Sequence, residues 1–262
     1  MQKSKYIFIP FLIVLCITIN ACKPKHFCDV CGLYNPSGTL KLQLQSEING
    51  NKIILNSVKY LNANLDTFTV SKLKYYISNI RLQKSDSSYY DIPESYYLID
   101  VSVSNDTTIT IPYIPAGNYI GVKFSIGVDS IHNHTGSQPG ALDPTIEGDM
   151  LWLWSTGYKF VKLEGTYKTA SSGGFQALVF DIGDDVNYRS TSYNSGTAHW
   201  TNINIRDAKT TKIQVKANFD EMFKTPNTIS FDATNNVAGG PASNQIADNY
   251  ADIFGLASIV NE

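Results

Sequence analysis

Leu40, Leu42 and Leu44 alternate with Lys41, Gln43 and Gln45, the two-residue period of a strand with one buried and one wet face. Two later stretches repeat it. Ile120, Val122, Phe124 and Ile126 oppose Gly121, Lys123 and Ser125, and Ile213, Val215, Ala217 and Phe219 oppose Lys212, Gln214, Lys216 and Asn218. Apolar runs predict further strands at Ile53–Leu55, Phe68–Val70, Lys74–Leu82, Tyr96–Val103, Thr107–Ile111, Tyr158–Tyr167, Phe175–Ile182 and His199–Ile205. Asn49-Gly50-Asn51, Ser85–Ser88, Asn105-Asp106 and Ser171–Gly174 supply the turn chemistry between them. Asp184–Gly196 is polar without a period, and Asn235–Ser243 reads as a loop. Helical spacing occurs only at Ile246, Tyr250 and Phe254. Many short strands and almost no helix predict an all-β fold: an antiparallel, immunoglobulin-like β-sandwich over residues 39–262, one domain with long loops and a short C-terminal helix. No internal repeat suggests a propeller or solenoid.

The chain's first residues alter the expected compartment. Met1–Tyr6 carries Lys3 and Lys5 and no acid, Ile7–Ile19 is apolar, and Ala21 precedes Cys22. That is the charged, apolar and small-residue order of a secretory signal, and it is short for a membrane span. A cysteine at the first position after such a segment resembles a lipobox, so Cys22 is expected to carry lipid and anchor the chain to a membrane. An outer-membrane lipoprotein follows, at the periplasmic face or the cell surface. Lys23-Pro24-Lys25-His26 is not an acidic cluster, which favours the periplasmic face. Residues 22–38 read as a linker. Its Cys28 and Cys31 suit a small disulfide loop outside the cytoplasm, and with His26 they also offer three soft or borderline metal donors. Losing residues 1–21 shifts the net charge from −2 to −4. With no dense basic cluster, the chain gives no electrostatic footprint for nucleic acid.

Candidate chemistry collects in Gly127–Gly165, which holds His132, His134, Trp152 and Trp154 among Gly, Pro and Asp. Irregular loops on a rigid scaffold are where binding residues concentrate. In an extended segment, residues two apart project to one side, so His132 and His134 are expected to share one ion. Asp129, Asp143 or Asp181 would supply oxygen donors, and His199 a further imidazole if its strand runs alongside. Imidazole with carboxylate suits Zn(II) or Cu(II). The same histidines equally suit solvation and backbone hydrogen bonding. Trp152 and Trp154 would share a face, as core packing or as a stacking pair. Asp143, Glu147, Asp149, Asp181, Asp184 and Asp185 are hard oxygen donors that would suit calcium, though without EF-hand spacing. No GxSxG, HExxH, P-loop or Rossmann fingerprint is present, so a catalyst is not expected.

Four segments carry a family resemblance: Lys74-Tyr75-Tyr76-Ile77-Ser78-Asn79-Ile80-Arg81-Leu82, Ile114–Tyr119, Asn133-His134 and Met150-Leu151-Trp152-Leu153-Trp154-Ser155-Thr156-Gly157-Tyr158-Lys159-Phe160. Together they resemble the methanobactin-associated MbnP-like family across most of Gly38–Ala257. The resemblance implies a secreted or lipid-anchored β-sandwich connected with copper, in which histidines bind the ion near a tryptophan oxidised to kynurenine by a di-haem partner enzyme. His134 takes the place of the family's NH histidine, and Trp152 and Trp154 that of its paired indoles. The family's second histidine stands in an F-H-[IL]-G segment, which here reads Phe180-Asp181-Ile182-Gly183. The expectation is therefore an extracytoplasmic copper carrier or acquisition protein. The rival is a surface lipoprotein whose Tyr- and Trp-rich loops contact glycan or protein.

Overall fold

The computed structural model describes residues 35–136, 138–146, 148–152, 157–194 and 202–262. The predicted signal segment, Cys22, Cys28, Cys31, Trp154, His199 and Trp200 lie outside them. In chain order the strands are β1 (Ser37–Ile48), β2 (Asn51–Lys52), β3 (Tyr60–Leu61), β4 (Thr67–Lys84), β5 (Tyr89–Asp91), β6 (Tyr96–Asp100), β7 (Asp106–Pro115) and β8 (Gly117–Ile126). The short helix α1 (Ser130–His134) follows, then β9 (Lys159–Lys168), β10 (Gln176–Gly183), β11 (Arg189–Asn194), β12 (Ile203–Ile205), β13 (Thr210–Asn218), β14 (Asn236–Ala238), helix α2 (Gly240–Tyr250) and β15 (Phe254–Asn261).

These strands form two sheets of an all-β sandwich. The smaller has the order β15-β13-β1-β2, with β7 also on β1. The larger runs β11-β8-β4-β9-β10-β14, with β3, β5 and β6 on β4 and β12 on β8. The three alternating stretches explain the core. Leu40, Leu42, Leu44, Ile213, Val215, Val122 and Phe124 are all buried in one cluster, and each large apolar side chain so placed contributes about 1.5–3 kcal/mol. Most pairings are antiparallel, but β1 runs parallel to β13 and β10 parallel to β14.

Several boundaries differ from the pattern-based expectation. The runs at Phe68–Val70 and Lys74–Leu82 are one strand, β4, whose register against β9 slips between Val70 and Lys72. The bulge interrupts the period without ending the strand. Strand structure at the second predicted run is confined to Asn51–Lys52, so Ile53–Leu55 is not strand. The stretch read as aperiodic contains β11, at one end of the sheet order, built from Arg, Ser, Thr and Asn around a single core-packed Tyr193, too few apolar positions to show a period. The helix is not the end of the chain, because Phe254 already belongs to β15, which adds to the smaller sheet beside β13.

Candidate functional site

The histidine loop is not loose above the scaffold. Tyr76 and Phe160, from β4 and β9, form a second apolar cluster with Val128, Leu142, Met150 and Tyr158 of the loop. Gly127 opens it with φ +102°, and an added Cβ there would sit 2.5 Å from the Phe160 ring. Asn133, only 3 % exposed, ties the loop's two ends. Its Oδ1 accepts from the Tyr158 backbone at 2.8 Å, and its Nδ2 donates to Asp185 Oδ1 at 2.8 Å. The asparagine of the NH pair is thus the structural member.

His132 and His134 stand on α1, one turn of helix rather than extended chain. Positions two apart on a helix point to opposite sides, so the expected convergence of both rings on one ion does not occur. Asp129 is the N-cap, accepting from the His132 backbone at 3.3 Å. Its Oδ1 also faces His132 Nδ1 at 3.0 Å, and its Oδ2 accepts from Asn79 Nδ2 at 3.0 Å and from the Tyr96 hydroxyl. The Tyr96 ring lies against the imidazole, with centroids 4.6 Å apart. Burial pushes the Asp129 carboxyl up, but the bonds from Tyr96, His132 and Asn79 outweigh it and hold the group well below the usual carboxylate range. His134, on the other side, places Nε2 3.1 Å from both oxygens of Asp185. Burial raises the Asp185 carboxyl, and bonds from Ser130, Asn133 and His134 more than offset it.

The two rings therefore share one arrangement. An ionised carboxylate only accepts, so in the neutral imidazole the nitrogen facing it carries the proton and the other keeps its lone pair. For His132 the lone pair is on Nε2, 3.8 Å from Glu94 Oε2. For His134 it is on Nδ1. A carboxylate holding the far N–H is how metal-binding histidines are usually oriented.

Asp181 does not join them. It accepts from Lys159 Nζ at 2.8 Å and Lys162 Nζ at 3.2 Å, with its side chain 12 % exposed. Lys159 lies over the Trp152 ring at 5.4 Å. A carboxylate neutralised by two ammonium groups is a poor donor to a cation, so Asp181 is corrected from metal ligand to the centre of an ion-pair cluster. Asp143 caps its own turn through Thr145, and Asp149 is held by Lys72 and Lys74, each at 3.3 Å. Trp152 is 8 % exposed, a packed indole rather than a presented one. Among the described residues no three His, Cys, Asp or Glu side chains converge as a metal cluster. The expected three-donor set is absent there; what fits copper or zinc in kind is an oriented imidazole. Asp185, expected only among the hard oxygen donors for calcium, here orients His134, and Tyr96 and Asn79 join the site although the sequence pattern marks them only as strand residues. An Asp just before the turn, at the N-cap position, is the one local signal that could have predicted helix instead of extended chain.

A family model described as MbnP matches residues 37–244. The chain belongs to the MbnP family. Among solved structures it is similar to MbnP from Methylosinus trichosporium, with 14% identity, a TM-score of 0.48, and coverage of 78% of this chain and 81% of that one. No curated protein matches it. Within this MbnP-family chain the Asp129 cap gives a pH prediction. Its folded-state pKa is depressed, so its stabilisation is present above the unfolded value of about 3.9 and is lost as pH falls through the lower folded value. Thermal melts of wild type should lose stability progressively below about pH 4. The Asp129→Asn protein should start less stable at neutral pH and show a flatter acid limb; parallel acid limbs would remove Asp129 from this role.

Proposed function

We propose that this MbnP-family protein is a lipid-anchored, extracytoplasmic, non-catalytic metal carrier that binds copper through His134. The observation that carries the reading is the locked ring: Nε2 is engaged by both Asp185 oxygens, which leaves Nδ1 as the donor atom. The imidazole is about half exposed, so an ion can reach it without the loop opening. Family membership supports copper over zinc. Asp185 orients the ring, Asp181 is not among the ligands, and the remaining coordination positions are filled by solvent or by further donors.

Copper bound per chain, measured after equilibration with Cu(II) and removal of excess, tests this directly. His134→Ala should abolish stoichiometric binding, and Asp185→Asn should weaken it about tenfold or more, the usual scale for losing an orienting partner. His132→Ala should leave it within about twofold, since that ring faces the other way. Equal copper in wild type and His134→Ala would sink the assignment.

A further inference from the structure

We infer that the groove between β4, β8 and β11 is a second binding site, one for a monosaccharide-sized organic carboxylate rich in acceptor oxygens. It is independent of the metal reading. The groove offers about 420 Å³ and is lined by Asn79, Arg81, Asp91, Lys123, Ser125, Tyr188 and Ser190, with Ile80 and Ile92 at its floor, both buried in the main core. Pockets of a few hundred Å³ with a few converging polar groups are the usual size and form of small-molecule sites.

A bulge makes the groove. Ser78 pairs with Ser125 and Arg81 with Lys123, so Asn79 and Ile80 together oppose the single residue Phe124. Asn79 takes the extra length in the left-handed region, φ +51°, which is uncommon outside glycine although asparagine tolerates it best. Bulges concentrate beside functional sites because they re-aim side chains. Here the bulge turns Asn79 into a three-way bridge, bonded to Asp129, Tyr96 and Tyr188.

Charge then decides the ligand. Arg81 and Lys123 stand directly opposite on neighbouring strands, a like-charge pairing that destabilises a sheet unless it is compensated. Asp91, opposite Arg81 on β5, accepts from its Nε. Lys123 has no ion-pair partner among the described residues. The row Asp91, Arg81, Lys123 thus carries one uncompensated positive charge at the cavity. The other lining groups also donate. The Tyr188 hydroxyl accepts from Asn79 Nδ2 at 2.7 Å, leaving its own proton to give. Ser125 and Ser190 share one hydrogen bond at 2.8 Å, so one of their two protons is unused. Asp91, the one acidic side chain in the lining, is already engaged. A donor-rich, net-positive cavity accepts an anion with additional acceptor oxygens. Its volume, several times that of an inorganic ion, favours a carbon skeleton.

Calorimetric titration of metal-free protein with D-glucuronate tests the site, with D-glucose and inorganic phosphate as controls. Saturable glucuronate binding is expected, with glucose and phosphate each weaker by about tenfold or more, the scale of one charge-assisted contact. Lys123→Gln should weaken glucuronate by about tenfold and Ser190→Ala by about threefold, with both variants folded at the titration temperature; Ser190→Ala also loses the Ser125 hydrogen bond and should melt slightly lower, whereas Lys123→Gln, which relieves the like-charge pair, should not. Absence of saturable binding, or an affinity unaltered by Lys123→Gln, overturns the proposal. Phosphate binding as tightly as glucuronate overturns the organic-carboxylate assignment.

Discussion

Replacing Gly165 with alanine should be among the most destabilising single-methyl changes in this protein. Gly165 lies on β9 opposite Val70 of β4, and a Cβ built there would sit 1.9 Å from the Thr69 carbonyl oxygen and 3.2 Å from the Val70 Cα. Both obstacles are backbone, so no side-chain rotation relieves them. β4 is the strand on which β3, β5, β6, β8 and β9 all pair. Moving it by the ångström or more required disturbs the bulge between Val70 and Lys72 and the Thr69–Thr166 hydroxyl contact at 2.8 Å. Overpacking usually costs about 1–3 kcal/mol, and a clash fixed in two central strands belongs at or above the upper end. At about 2–4 °C per kcal/mol for a chain of this size, Gly165→Ala should lower the melting temperature by roughly 6–12 °C. Gly174→Ala is the matched control: nothing lies within 4 Å of its added Cβ, and it should shift the melt by no more than about 1 kcal/mol, in the stabilising direction if in either. Equal melts for the two variants would mean the β4–β9 contact is not the tight point of the sheet.

That close approach leaves no trace in the sequence beyond a glycine, and the same limit divides the rest of the fold. The strands with one wet face, β1 and β13, were legible because the alternation of Leu40–Leu44 and Ile213–Phe219 is a direct record of burial on one side; in β8 the record is partial, since Val122, Phe124 and Ile126 are buried but Ile120 is not, and Gly121 and Ser125 are. Around the middle of β4 the record fails. Tyr75, Tyr76, Ile77 and Ser78 are all buried, since the sandwich core covers one face and the histidine loop covers the other. A strand buried on both faces has no period to read. β11 fails for the opposite reason: Tyr193 is its one core-packed side chain, and its Ser, Thr, Arg and Asn neighbours give no apolar alternation to read. The site follows the same logic. His132 and His134 were identifiable as residue types, but their mutual direction depended on a single helical turn set by the Asp129 cap. The partner of His134 comes from 51 residues away, a distance no local pattern encodes.

Asp181 gives the second large effect and separates the two accounts of its position. If it were a metal ligand, its removal would cost the metal-free protein little. As the shared acceptor of Lys159 and Lys162, its loss leaves two ammonium groups whose side chains are 10% and 7% exposed. Lys162 retains Glu164 at 2.7 Å, so most of the penalty falls on Lys159, which keeps its Trp152 ring contact. Removing one partner of a buried pair typically costs about 3–5 kcal/mol, and the partial compensation at Lys162 places Asp181→Ala near the lower end, a fall of roughly 6–12 °C in melting temperature. Adding Lys159→Met to the Asp181→Ala protein should recover a large part of that loss, because an apolar replacement removes the unpaired charge. Asp181→His restores the residue type of the family's F-H-[IL]-G segment, and on this account it neither stabilises the metal-free protein nor raises copper binding, since the new imidazole enters a pair of cations. A gain of copper in Asp181→His, with wild-type stability in Asp181→Ala, would return this position to the metal site.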